Sequence, residues 1–312
     1  MAWRHLIELQ ERLDDPSASG ESVARYLREE GAADVAVKPV TGEKGTADFI
    51  RVFVPGLRGR SVGGDAPTLG IIGRLGGIGA RPARIGFTSD GDGALSALVI
   101  AAELARMAKR GDRLAGDVIV TTQICPNAPT RPHEPVPFMD SPVTSAQANA
   151  AEVDPAMEAI LSIDTTKGNR ILNRRGIAVT PTVRDGWILR VSEPILSILE
   201  QTTGELPMVL ALTMQDITPY GNDIYHLNSI LQPSVATAAP AIGVAITTTS
   251  QVAGCATGAT HLADVDEAVR FALEVAKAFG EGQCPFCDEA EYEALVKRYG
   301  SMRHLRTMGE QA

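Results

Sequence analysis

The sequence has no run of about 18 or more uncharged apolar residues, so nothing in it is expected to span a bilayer as a helix. Cysteine is sparse, four in 312 residues, which fits a reducing compartment where disulfides rarely persist. Basic residues are outnumbered, 29 Lys and Arg against 38 Asp and Glu, giving a net charge of -9 and a pI near 5.2. Nucleic acid and anionic membrane both require a cationic surface, so neither is expected as a partner. The opening residues, Met-Ala-Trp-Arg-His-Leu-Ile-Glu-Leu-Gln-Glu-Arg, are charged and amphipathic and lack the apolar core of a secretory signal, so a cytoplasmic location is the expectation. Internal repeats and extended low-complexity tracts are absent as well.

What is present is an alternation of helical and strand patterns in a chain that is 44% hydrophobic. Residues 3–14, 20–31, 95–110, 193–203 and 264–279 read as helices; 35–39, 47–54, 68–72, 117–122, 159–164, 177–182, 187–191, 208–212 and 241–248 read as strands. Strands separated by helices of this length predict a three-layer α-β-α sandwich around a mixed, mostly parallel central sheet. The expectation is one α/β domain over 1–312: N-terminal helices and edge strands to 66, a core over 67–281, and a tail from 282. Residues 125–156 form an unusual loop with six prolines between 126 and 142, too stiff for a continuous helix and long enough to suggest function.

The stretch 69–104 carries the most information. Leu-Gly-Ile-Ile-Gly-Arg-Leu-Gly-Gly-Ile-Gly reads as a buried strand and a glycine-rich turn, and Ser-Asp-Gly-Asp-Gly followed by an apolar run reads as an acidic loop opening a helix. With Ile163-Asp164-Thr165 at a strand end, Asn222-Asp223, and Thr260-His261-Leu262 before Asp264-Val265-Asp266, the order of pieces over residues 67–281 resembles the co-catalytic dinuclear zinc aminopeptidase and deacylase superfamily. It looks still closer to an uncharacterised bacterial family built on that scaffold.

The resemblance implies a zinc-exopeptidase-like fold and metal ligands at Asp92 or Asp90 (bridging), Asp164 and His261. It also exposes a departure. The first histidine position holds Arg74, the aspartate two residues later is Gly76, and the acidic pair after the next strand is Ile124-Cys125. Zinc needs three protein ligands and an open position, and a guanidinium cannot bind a cation. Arg74 would therefore replace the metal's charge with an ion pair or aim a cationic fork at an anionic ligand. One divalent metal, zinc or manganese, and no metal at all both stay open.

Each candidate has a plainer reading beside it. Asp90 and Asp92 could cap the helix that follows, and His261 could serve the turn that opens the last long helix. Cys125 could be a nucleophile or ligand, or a small buried hydrophobe. His133 and Glu134 on the proline-rich loop could act as an acid/base pair or decorate the surface. Cys284-Pro-Phe-Cys287 has the spacing of a redox dithiol or half a zinc site, or is a turn with two free thiols.

Three functions follow from these residues. One is a hydrolase of amide bonds in a small amino-acid derivative or short peptide, with Cys125, His133 and Glu134 as candidate catalytic groups and Arg74, Asn222, Asp223 and Thr260 as candidate substrate contacts. Another is a metal-free protein for a small anionic metabolite, with Arg74 as a carboxylate clamp. A third is an inactive oligomeric scaffold. A small-molecule or short-peptide ligand and a homo-oligomer are the expected partners.

Overall fold

The computed structural model describes residues 2–74, 86–132, 138–166, 171–212, 224, 227–249 and 258–309. Helices α1 (Ala2–Asp14) and α2 (Gly20–Glu30) are followed by a hairpin of β1 (Asp34–Gly42) and β2 (Gly45–Val54). The core alternates β3 (Leu69–Gly73), α3 (Asp92–Lys109), β4 (Val118–Ile124), two short strands β5 (Thr130–Arg131) and β6 (Phe138–Met139), α4 (Ser145–Glu152) and β7 (Ala159–Thr165). Then come β8 (Gly176–Val179), β9 (Val183–Arg184), β10 (Trp187–Ile188), α5 (Glu193–Thr203), β11 (Ala241–Thr247), α6 (Leu262–Gly280) and α7 (Glu289–Tyr299).

Among the described residues nine of these strands form one sheet, in the order β1-β2-β4-β3-β7-β11-β9-β10 with β8 also paired to β11. The four central strands β4, β3, β7 and β11 run parallel, and antiparallel strands flank them on both sides. Alternation along the strands sorts the core into two layers. Ile71, Val120, Leu161 and Val244 pack against α1, α2, α3, α5 and α6. Ile72, Ile119, Ile160 and Ala245 face the other way, onto Ile230, Leu231 and Val235 of a 3-10 helix, Ser229–Val235. The central strands are buried along their whole length, as a parallel sheet covered on both faces requires.

The expected architecture is therefore present, with local corrections. The strand expected over 208–212 reduces to a single bridge, Val179 to Val209. The pair expected over 177–182 and 187–191 is broken up at Pro181, and Asp185 and Gly186, both at positive φ, turn β9 tightly into β10. The proline-rich loop holds a helix, α4, started by a capping box between Thr144 and Gln147. After residue 282 the chain forms α7, capped by Asp288.

The site edge of the sheet depends on one close approach. α3 begins directly on the ends of β3 and β7, where a Cβ on Gly93 would lie 2.5 Å from the carbonyl oxygens of both Arg74 and Ile163. Only glycine permits that contact, and it sets the acidic turn Ser89–Gly91 and Asp92 at the C-terminal ends of the strands.

Candidate functional site

A cavity of about 780 Å³ opens at this edge, within the range of small-ligand sites. Strand ends contribute Arg74, Gln123, Asp164 and Thr165 to it, and the turn before α3 contributes Asp90. The β1–β2 hairpin, the segment 139–148 and the Ser229–Val235 helix form its walls. Ligand sites in open α/β sheets gather at the carboxyl ends of the strands because the loops diverge there.

Arg74 follows β3 and is held in register by its backbone N–H, which donates to Ile163 O at 2.8 Å. Its guanidinium is buried and pairs with the buried Glu152 at the end of α4. Nη1 donates to Glu152 Oε2 and, at 3.4 Å, to Asn149 Oδ1, while Nη2 donates to Gln232 Oε1. Burial pushes the Glu152 carboxyl above its usual range, and the charge of Arg74 opposes that rise. Among the described residues Arg74 Nε and Glu152 Oε1 have no hydrogen-bond partner.

The three aspartates singled out by sequence are all buried. Asp90 and Asp164 line the cavity. Asp164 Oδ1 accepts from the Thr165 N–H at 2.6 Å, and Asp92 Oδ1 accepts from Thr260 Oγ1 at 2.7 Å. The capping reading needs correction: Gly91 occupies the N-cap position, and Asp92 is the first residue of α3. His261 is the exposed N-cap residue of α6, makes no side-chain capping bond, and is not part of the cavity lining.

Cys125 is also not in the lining. It is packed with Ala47, Phe49, Met139 and Val143, its Sγ faces Thr46 O at 3.8 Å, and burial pushes its thiol up to about 11. Such a thiol stays protonated and behaves as a small hydrophobe. His133, Glu134, Asn222, Asp223 and Gly76 lie outside the described residues.

Among the described residues no group of three or more His, Cys, Asp or Glu is arranged to hold a metal ion. The position expected for the first histidine is occupied by a cation that is already neutralised. The described residues therefore do not fit the standard dinuclear zinc centre. The residues that hold Arg74, namely Glu152, Asn149 and Gln232, were not visible as candidates in the sequence. The Thr144/Gln147 capping box is the one local signal that could have marked residues 145–152 as a helix carrying Asn149 and Glu152; no such signal marks Gln232.

A family model described as a protein of unknown function (DUF1177) matches residues 38–309. The chain belongs to this family. No curated protein matches it significantly. Among solved structures it is similar to the bottromycin maturation enzyme BotP in complex with Mn, at 14% identity and a TM-score of 0.54, over 89% of this chain and 70% of that one. It is also similar to cytosol aminopeptidase from Coxiella burnetii, at 15% identity and a TM-score of 0.48, over 88% of this chain and 68% of that one. The BotP likeness shows a shared fold: this DUF1177 chain has an α/β scaffold similar to that of BotP, and in this chain Arg74 follows the first core strand.

Proposed function

We propose that this protein is hydrolase-like, acting in this cavity on an amide bond of a small amino-acid derivative or short peptide, through a site that differs from the standard dinuclear zinc centre. The observation that supports the reading is the meeting of two buried carboxylates, Asp90 and Asp164, in one cavity of small-ligand size. Carboxylates at such a site attract a protonated amine, and one of them can take a proton from an attacking water. Arg74 lines the same cavity, already paired with Glu152. Both of its terminal nitrogens are already engaged, so an incoming carboxylate would have to share them, which favours the hydrolase reading over the clamp.

The test combines elemental analysis of the purified protein with hydrolysis assays on aminoacyl amides, N-acyl amino acids and dipeptides. Expected are turnover of at least one class and its loss in Asp164→Asn with the melting temperature retained. Failure of all three classes, with no ligand raising the melting temperature, would leave the inactive scaffold as the better account.

A further inference from the structure

We infer that the segment after α7 belongs to the site: Met308 straps together the two elements that hold Arg74, and so positions the guanidinium from outside the cavity. The segment folds back along the molecule through a 3-10 turn, Arg303–Leu305. It is anchored on the β9–β10 turn, where the buried Asp185 lies 2.9 Å from Arg306 Nε and 3.8 Å from Arg303 Nε. Leu305 packs against the core layer beneath that turn, closely enough that a Cβ on Gly186 would lie 2.5 Å from its Cδ1.

The decisive contacts are made by the Met308 backbone. Its N–H donates to Val235 O at 3.1 Å, at the end of the Ser229–Val235 helix, and its carbonyl accepts from Asn149 Nδ2 at 2.9 Å, on α4. Those two elements supply Gln232 and Glu152 to Arg74. Asn149 is shared: the same amide that grips Met308 through nitrogen accepts from Arg74 through oxygen. Met308 holds this position at φ +60°, a left-handed conformation that side chains rarely adopt, so the connection is maintained against a local cost. Arg74, Glu152, Asn149 and Gln232 thus act as one unit closed from behind by the strap.

This inference does not require the proposed reaction, and its test reads the protein without substrate. Met308→Pro removes the N–H and demands a negative φ; Met308→Gly keeps both backbone bonds and suits the left-handed conformation. Residue 308 is exposed, so neither change threatens the core. The readouts are hydrogen exchange by mass spectrometry and the Nη resonances of Arg74, which stay distinct while the guanidinium is gripped and cannot rotate.

Met308→Pro should speed exchange about five- to thirtyfold in peptides covering 145–152 and 229–235, the size expected for losing one or two hydrogen bonds, and merge the Arg74 signals. Peptides of α1 and α2 should not change, and Met308→Gly should match the parent throughout. Unchanged exchange and unchanged Arg74 signals in Met308→Pro would overturn the inference, as would an increase spread evenly over the chain.

Discussion

Replacing Arg74 by methionine removes the cation that partly offsets the burial of Glu152, and the consequence depends on pH in a way that can be worked out. Burial already holds the Glu152 carboxyl above its ordinary value near 4.5, with Arg74 pulling it back down. Without Arg74 it rises further. A carboxyl whose folded value exceeds its unfolded one keeps its proton longer in the native state, so stability falls as pH rises from about 4.5 towards the folded value, at up to about 1.4 kcal/mol per pH unit.

Over the three pH units from 4.5 to 7.5 that slope sets a ceiling of about 4 kcal/mol, less the part of the climb that the parent carboxyl already makes; the loss when a buried pair is stripped of one partner is roughly 3–5 kcal/mol. Below pH 4.5 the carboxyl is protonated in both states and the slope vanishes. What remains is the loss of the bonds to Gln232 and Asn149, about 1–3 kcal/mol. Adding Glu152→Gln to Arg74→Met should flatten the pH dependence and recover stability at neutral pH. The assay is urea unfolding of parent, single and double variants from pH 5 to 8. A cost for Arg74→Met that is the same at both ends of the range, or that Glu152→Gln fails to relieve, would refute the coupling.

Three further outcomes follow from local geometry. Gly93→Ala should destabilise the fold by about 1–3 kcal/mol in chemical denaturation, because its Cβ meets two backbone carbonyl oxygens at 2.5 Å and this outweighs the gain of about 1 kcal/mol in helix propensity; a more stable variant would show that α3 does not rest on the strand ends as described. His5, buried with Nδ1 at 2.6 Å from Tyr26 Oη, has its pKa lowered from 6.5 by burial, against the pull of Glu30 and Glu103 and with Arg4 and Arg106 assisting. Stability should therefore drop as pH falls below 6.5 through the lowered value, and an NMR titration midpoint for His5 above 6.5 would contradict this. Cys284, buried with its thiol pushed up to about 12, should resist iodoacetamide at pH 8 in the native protein and react once unfolded; rapid native labelling would revive the redox-dithiol reading of Cys284 and Cys287.

The parts of this protein that sequence disclosed are those whose causes are local. The apolar strands, the acidic turn before α3 and the arginine after the first core strand all announce themselves within a few residues, and the mostly parallel character of the sheet followed from the alternation of elements, though not its strand order. The holders of Arg74 could not be read that way, since they stand 75, 78 and 158 residues away in the chain. Glu152 ends a short helix hidden in a proline-rich stretch, where composition argued for a loop. Met308 was harder still, because it acts through its backbone, and no side-chain pattern encodes a carbonyl and an N–H aimed at two different elements.

Arg74 and Glu152 make sense only together, and this bears on how the scaffold departs from the metal centre its sequence resembles. A neutral histidine at the first strand end is useful when a metal completes it. An arginine there is always charged, and in a buried position it needs a counter-charge supplied by the protein itself. Glu152 supplies that charge from outside the set of expected ligand positions, and Asn149 and Gln232 complete its hydrogen bonding. A single substitution, Arg74→His, would therefore not create a metal site. It would leave Glu152 buried without its cation, and the described residues would still lack three donors facing one point.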